Sequence, residues 1–285
     1  MPSMVLTSLQ QMQELHGPRR RASGSGRTFF DMGRTHLVIP DPHSHYKHHN
    51  NRAIWAGKLI NDIRPDVVVV LGDTADMPSL SGYDKGRKCF VGRTYKSDID
   101  SHGDFQEKLW DTVKGAKKRL PRRVTLLGNH EERINRAIEA QPELEGTVSY
   151  KDLQLERWYN DVVYYSGSTP GTIEIDGVHY GHFMVSGIQG RPIGGEHPAN
   201  SLISKQLVSC TVGHSHILGF DIRTRADGKR VLGLVAGCYQ DYDSDWAGEE
   251  LCKLWWRGVI VKRGVDSGTY DVEAISLDRL RKEYG

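Results

Sequence analysis

The sequence predicts a mixed α/β fold, with a parallel β-sheet in its first half and a second, mixed sheet in its second half. Three observations carry this expectation. Between residues 35 and 140, short apolar runs alternate with helically spaced segments in a βαβαβ rhythm. The apolar runs are continuous and rich in β-branched residues, as strands covered on both faces read. From residue 172 the pattern becomes a strict alternation around a tight turn, the mark of antiparallel pairing.

The first strand is His36-Leu37-Val38-Ile39. Ala53 to Ile63 follows with Ile54, Trp55, Leu59, Ile60 and Ile63 on one helical side. Asp66 to Leu71, bounded by Pro65 and Gly72, is the second strand. Phe105 to Leu120 reads as a helix stopped by Pro121. Val124 to Leu127 is the third strand, and helical stretches are expected over Glu132 to Ala140 and Lys151 to Tyr159. Thr172 to Asp176 alternates into the Gly177 turn and returns as Val178-His179-Tyr180, a hairpin. Leu207 to Val212, Val231 to Ala236, Val259 to Lys262 and Tyr270 to Ile275 supply the remaining strands. Ser79 to Asp104 and Ser186 to Asn200 fit neither sheet and read as long loops, of the kind that carry function.

Residues 35–285 are expected to form one domain, preceded over 1–34 by a flexible basic appendage. In the appendage, Ser8 to Leu15 has a short helical pattern and Pro18 to Arg27 a basic, Gly/Ser-rich linker. The chain has 285 residues, 38% of them hydrophobic, enough for a well-buried core. Its net charge of +2 argues neither for nor against a nucleic-acid partner. No apolar run has the length to span a bilayer, and Met1 to His16 does not resemble a secretory signal. A cytoplasmic protein with no membrane partner is expected. Cys89, Cys210, Cys238 and Cys252 are scattered without a C-x-x-C pair, which speaks against a disulfide framework and a thiolate zinc site.

Chemistry concentrates in five short blocks, each just after an apolar run: Asp41-Pro42-His43, Gly72-Asp73, Gly128-Asn129-His130-Glu131, Gly181-His182 and Gly213-His214-Ser215-His216. One block alone reads as a turn. Five in order supply carboxylate, amide and imidazole donors at the ends of strands, as a two-metal hydrolytic site requires. Asp41 and His43 are two apart and, at a strand end, point the same way. Asp73 is placed to bridge two cations with its carboxylate oxygens. The preceding glycines let the backbone turn sharply next to a metal or phosphate. Mixed nitrogen and oxygen donors suit Mn, Fe, Zn, Co or Ni better than Ca.

This set resembles the calcineurin-like metallophosphoesterase family, whose pattern runs D-x-H, G-D-x-x-D, G-N-H-E/D, G-H and G-H-x-H. Here it is matched by Asp41/His43, Gly72-Asp73-Thr74-Ala75-Asp76, Gly128 to Glu131, Gly181-His182 and Gly213 to His216. The resemblance covers the chain from about Thr35 onward. It implies a four-layer α/β/β/α sandwich of two mixed sheets flanked by helices. Two divalent transition-metal ions are implied, with Mn first and Fe, Zn, Ni or Co as alternatives. Asp41, His43 and His216 would hold one ion, Asn129, His182 and His214 the other, and Asp73 would bridge. The implied reaction is in-line attack of a metal-bridging hydroxide on a phosphate ester. His130 would act at the leaving oxygen and Asp76 would orient it and stabilise its charged form, with Glu131 structural.

The chain departs from the pattern in three places. Ser44 replaces a frequent glycine and is followed by His45, His48 and His49, which either line the site or, the favoured reading, form a polar surface loop. Met77-Pro78 stands where the Ser/Thr phosphatase branch has Arg-Gly, so the arginine that grips a phosphate there is absent. Lys85, Arg87, Lys88 and Arg93 in the 79–104 insert either replace that clamp or are solvated loop charge. Lys117-Lys118-Arg119 and Arg122-Arg123 read as structural or solvating charge. A diester or nucleotide substrate is favoured over a phosphoprotein. A nuclease acting on nucleic acid is the alternative, and a non-catalytic metal-binding scaffold of the same fold a further one.

Overall fold

The computed structural model describes residues 33–114, 120–245 and 247–285. In chain order its strands and helices are β1 (Arg34–Ile39), α1 (Asn51–Ile63), β2 (Val67–Val70), α2 (Tyr95–Thr112), β3 (Arg122–Leu126), α3 (Arg133–Ala140), α4 (Leu155–Trp158), β4 (Asp161–Val163), β5 (Thr172–Ile175), β6 (Val178–Gly181), β7 (Val185–Ser186), β8 (Arg191–Pro192), α5 (Pro198–Gln206), β9 (Cys210–Val212), β10 (Leu218–Thr224), β11 (Arg230–Ala236), α6 (Gly248–Cys252), β12 (Gly258–Asp266), β13 (Thr269–Ser276) and α7 (Leu277–Tyr284). The described residues belong to one compact unit, Gly33–Gly285. The expected basic appendage lies outside the described residues except for Gly33 and Arg34, and Arg34 already opens β1. Lys117 to Arg119 also lie outside them.

The architecture is mixed α/β with two large sheets, both of mixed direction. One has six strands in the order β13-β12-β1-β2-β3-β4, with β1 to β4 parallel and β12 antiparallel to both β1 and β13. The other has five in the order β10-β11-β9-β6-β5, parallel at its centre and closed by an antiparallel pair on each side.

Side-chain alternation shows what each sheet face covers. Val68 and Val70 join a cluster with Trp55, Leu59 and Phe105 of α1 and α2. Val67 and Val69 join another cluster with Ile175, Val178 and Leu234 of the five-stranded sheet. Every residue of β2 is fully buried, which is why it reads as an unbroken Val run rather than an alternating one. On the five-stranded sheet, Val212 and Val235 turn the other way, onto Ala199 and Leu202 of α5.

The structure corrects several expectations. Helix α2 runs from Tyr95 to Thr112, not from Phe105 to Leu120. It starts where Thr94 caps it by accepting the Ser97 amide at 3.2 Å. It ends where Asn61 takes up both sides of the break, donating to the Thr112 carbonyl at 2.9 Å and accepting the Lys114 amide at 3.0 Å. Residues 95–104 of the 79–104 segment are therefore helix rather than loop. The second presumed loop ends in α5, and the strand expected from Leu207 begins only at Cys210, because Leu207 takes a left-handed conformation that caps α5. Strand β10 was not anticipated. The four cysteines are free, as expected, and among the described residues no helix is long and apolar enough to cross a membrane.

His102 of α2 is buried with no hydrogen-bond partner on Nδ1. Burial lowers its pKa from 6.5 to about 4, against a weaker opposing pull from the Leu153 backbone. The unfolded chain thus takes up this proton first as pH falls. The stability contributed by the neutral ring is complete above pH 6.5 and is lost as pH drops toward 4, a change of about 3 kcal/mol. Chemical denaturation of wild type and His102→Leu between pH 7 and 4.5 is expected to show a clearly shallower fall in the variant. Parallel curves would contradict the assignment.

Candidate metal centre

The turns that leave β1, β2, β3, β6 and β9 converge, and each carries one of the blocks. Asp41 and His43 follow β1, Asp73 and Asp76 follow β2, and Asn129 and His130 follow β3. His182 follows β6, and His214 and His216 follow β9. All seven expected ligands are brought together. His43 Nε2 lies 3.2 Å from His216 Nε2 and 3.7 Å from Asp73 Oδ2, and His216 Nε2 lies 3.6 Å from Asp41 Oδ2. In the neighbouring group, His182 Nε2 lies 3.0 Å from Asn129 Oδ1, 3.3 Å from His214 Nδ1 and 3.3 Å from Asp73 Oδ2. One oxygen, Asp73 Oδ2, belongs to both groups.

These atoms suit a cation better than they suit one another. His182 Nδ1 sits 2.8 Å from the Leu71 carbonyl, an acceptor, so Nδ1 carries a proton and Nε2 is the nitrogen that would present a lone pair to an ion on losing its own proton. That nitrogen faces an amide oxygen and a carboxylate oxygen. Asp41 Oδ1 is buried with no hydrogen-bond partner. Its 3.4 Å approach to His182 Nδ1 is not a bond, because that proton is directed at Leu71. Metal–ligand bonds of about 2.0–2.2 Å place neighbouring ligands roughly 3.0–3.5 Å apart, close to the spacings found within each group. The donor set therefore fits a bound metal cation.

The electrostatics are divided: against burial, Asp73 and Asp41 raise His182 well above 6.5 and Asp76 and Asp73 raise His43, while burial raises Asp41. Burial opposes the Asp73 charge, but His182, His130 and His43 outweigh it and hold the carboxyl well below the usual range. Asp76 is also held well below that range, with burial outweighed by hydrogen bonds from His130 and His43. Burial, with the nearby His182, lowers His214 to about 4, and burial with His43 lowers His216 well below 6.5. The neutral His214 and His216 rings and the ionised Asp73 are in the protonation states that metal binding needs, whereas His43 and His182 must give up a proton to it.

Backbone strain is concentrated here. Asp41, His43, Asp73, His214 and His216 have φ of 39°, 47°, 48°, 68° and 60°. The left-handed region is uncommon for residues with a Cβ, and clusters of such outliers mark functional sites. The geometry corrects two expectations. Asp41 and His43 lie beyond β1 in left-handed turns, so strand alternation is not what aims them. Of the block glycines, only Gly72 needs a positive φ, 91°. Gly128 and Gly213 are needed for room: a Cβ on them would lie 2.0 Å from Asp73 Oδ1 and 2.5 Å from Asp41 Oδ1.

His130 and Asp76 adjoin the ligands. His130 Nδ1 is 2.7 Å from the Asp76 carbonyl and 3.0 Å from Asp76 Oδ1, and its amide donates to Asp73 Oδ1 at 2.9 Å. Asp76 Oδ1 also meets His43 Nδ1 at 2.9 Å, so it serves two rings rather than His130 alone. Burial and Arg133 lower the His130 pKa, outweighing the carboxylates around it. The Asp76 hydrogen bond does favour a charged His130, but burial and Arg133 outweigh it. Its ring also comes within reach of the cluster, since donor atoms of His43, Asp73 and His130 lie within 4.8 Å of one another, as do those of Asp73, His182 and His214. Glu131 is structural as expected, accepting the amides of Gly128, Asp73 and Ala75 at 2.8, 3.0 and 2.8 Å.

A cavity of about 620 Å³ opens beside the cluster, with Asn129, His130 and Arg133 on its wall and Arg87 and Arg93 of the insert among its lining. His45 and His48 also line it, so they are not simply a surface loop; His48 stacks on Tyr242 at 3.8 Å, while His49 is largely exposed. Sequence reasoning missed Arg52, Arg133, Asp241 and Tyr242. Arg133, one turn past the Asn129 block, was findable from spacing; Asp241 and Tyr242 carry no local signal.

No family model matches the chain, and no curated protein matches it.

Proposed function

We propose that this protein is a binuclear metal-dependent phosphoesterase of the calcineurin-like metallophosphoesterase type. The observation that carries the reading is the sharing of Asp73 Oδ2 between two convergent donor groups. The matching fold is the four-layer α/β/β/α sandwich, supported by one apolar cluster drawn from both sheets and by helices packed on each outer face.

Asp41, His43 and His216 would hold one ion, Asn129, His182 and His214 the other, with Asp73 between. Two such ions supply an activated water and neutralise charge developing on the phosphoryl oxygens. Mn is the first choice, with Fe, Zn, Ni and Co as alternatives. His130 faces the cavity beside the shared carboxylate with Asp76 fixing the ring through Nδ1; to donate to the leaving oxygen it must take up a second proton on Nε2 in place of the Arg133 donor. A phosphodiester or nucleotide is the favoured substrate class. Four free cysteines support a reducing, cytoplasmic setting.

The test is Mn²⁺-supplemented hydrolysis of a chromogenic phosphodiester beside the matching monoester. Wild type is expected to turn over at least one. His130→Ala is expected to retain both ions and lose about 10²- to 10⁴-fold in turnover. If the variant instead loses its ions, His130 is a ligand and the division of roles is wrong. If wild type with both ions bound hydrolyses neither ester, the enzymatic reading loses its main support and the scaffold reading gains.

A further inference from the structure

We propose that Arg133 is the anion clamp of this site, gripping a non-bridging phosphoryl oxygen of the substrate; this rests on the phosphoesterase reading above. Arg133 opens α3, one turn beyond Asn129 and His130. Its Nη1 donates to the carbonyls of Asp76 at 2.8 Å and Met77 at 3.2 Å, and its Nη2 donates to His130 Nε2 at 3.2 Å. All three partners are neutral. They fix the plane of the guanidinium without cancelling its charge, and among the described residues no carboxylate lies within ion-pair distance of it.

The other arginines around the cavity are different. Arg93 is paired with Asp84 at 2.7 Å and Arg87 approaches the same carboxylate at 3.9 Å. Arg52, fully buried and not part of the cavity lining, is paired with Asp241 at 2.9 Å. Arg133 is thus a rigidly held, uncompensated arginine on the cavity wall. It touches His130, whose Nε2 lies 3.8 Å from the shared Asp73 oxygen. A phosphate ester bound at Asp73 would bring anionic oxygens to this place, and the planar guanidinium fork matches them in charge and geometry. The alternative role, a tie that only fastens the Asp76–Met77 turn, uses Nη1 alone and does not account for the Nη2 contact with His130 on the cavity wall.

The experiment reads phosphate binding rather than turnover. Wild type, Arg133→Gln and Arg133→Lys are loaded with Mn²⁺, assayed for bound metal and melting temperature, and titrated calorimetrically with inorganic phosphate. Arg133→Gln is expected to keep both ions and to bind phosphate about 10- to 100-fold more weakly, the loss of one or two charge-assisted hydrogen bonds. Arg133→Lys is expected to recover part of that affinity through its charge. Unchanged phosphate affinity in Arg133→Gln overturns the proposal, and so does loss of the ions from both variants, which would mark a structural tie. If wild type binds Mn²⁺ but no phosphate, the phosphoesterase reading itself fails and the clamp falls with it.

Discussion

Asp73→Asn is expected to weaken both metal sites together and to abolish hydrolysis. The side chain is almost fully buried, and its two oxygens have different tasks. Oδ1 accepts the His130 amide at 2.9 Å, a contact an asparagine oxygen can keep. Oδ2 is the atom 3.7 Å from His43 Nε2 and 3.3 Å from His182 Nε2. With Oδ1 kept, the amide nitrogen would replace Oδ2, pointing two N–H donors into a space where lone pairs must converge and removing a negative charge. Changes to residues that merely orient ligands cost about 10- to 100-fold in metal affinity, so loss of a shared ligand should cost on the order of 100-fold or more at each site. Metal content after dialysis against limiting Mn²⁺ checks this. Retention of one ion at full occupancy would show that Asp73 serves a single site.

Arg52→Ala is expected to give the largest loss of stability. Arg52 lies on α1, fully buried, and ties the loop that carries Asp41 and His43 to the rest of the fold. Its Nη2 donates to the carbonyls of Pro42 at 2.7 Å and His43 at 3.1 Å; its Nη1 donates to the His49 carbonyl at 3.1 Å and to Asp241 at 2.9 Å. Alanine leaves a buried carboxylate without its cation and three carbonyls without this donor. Breaking a buried ion pair from one side costs about 3–5 kcal/mol. For a domain of this size that lowers the melting temperature by roughly 10 °C or more. Arg52→Lys restores charge but cannot reach all four acceptors, so it should fall between. A melting temperature within about 2 °C of wild type for Arg52→Ala would refute the tie.

Much of the scaffold was legible because buried parallel strands leave plain traces. The Val67–Val70 run, the Thr172–Ile175 alternation and the Gly177 turn all lie where periodicity puts them. The first half of α2 was not legible because its inward face is polar. Asp98, Ser101 and His102 are buried there, with Asp98 accepting the Ser79 amide at 2.9 Å, so no apolar stripe marks the turn. Helix α5 was hidden in a Gly/Pro-rich segment because it needs only Pro198, Ala199, Leu202 and Ile203 on its buried side. Lys262 extends an apolar strand, and nothing local shows that it is fully buried between the rings of Tyr180 and Tyr270 at 4.4 and 4.2 Å.

At the site, the seven residues that converge were readable in identity and order, since they stand in short blocks just after apolar strands. Their supports were not. Asp76 divides itself between His43 and His130, Arg52 reaches Asp241, and Tyr242 donates to the His43 carbonyl at 2.9 Å. These pairings depend on how distant turns meet, and strand periodicity carries no record of that.

The most direct test of the two-ion centre is metal stoichiometry: metal-free protein equilibrated with increasing Mn²⁺ and assayed for bound metal per chain. Two ions per chain at saturation, with hydrolysis of the phosphodiester or monoester rising as the second binds, is the expected result. Saturation at one ion, or no stoichiometric binding at all, would contradict a centre built around a shared Asp73.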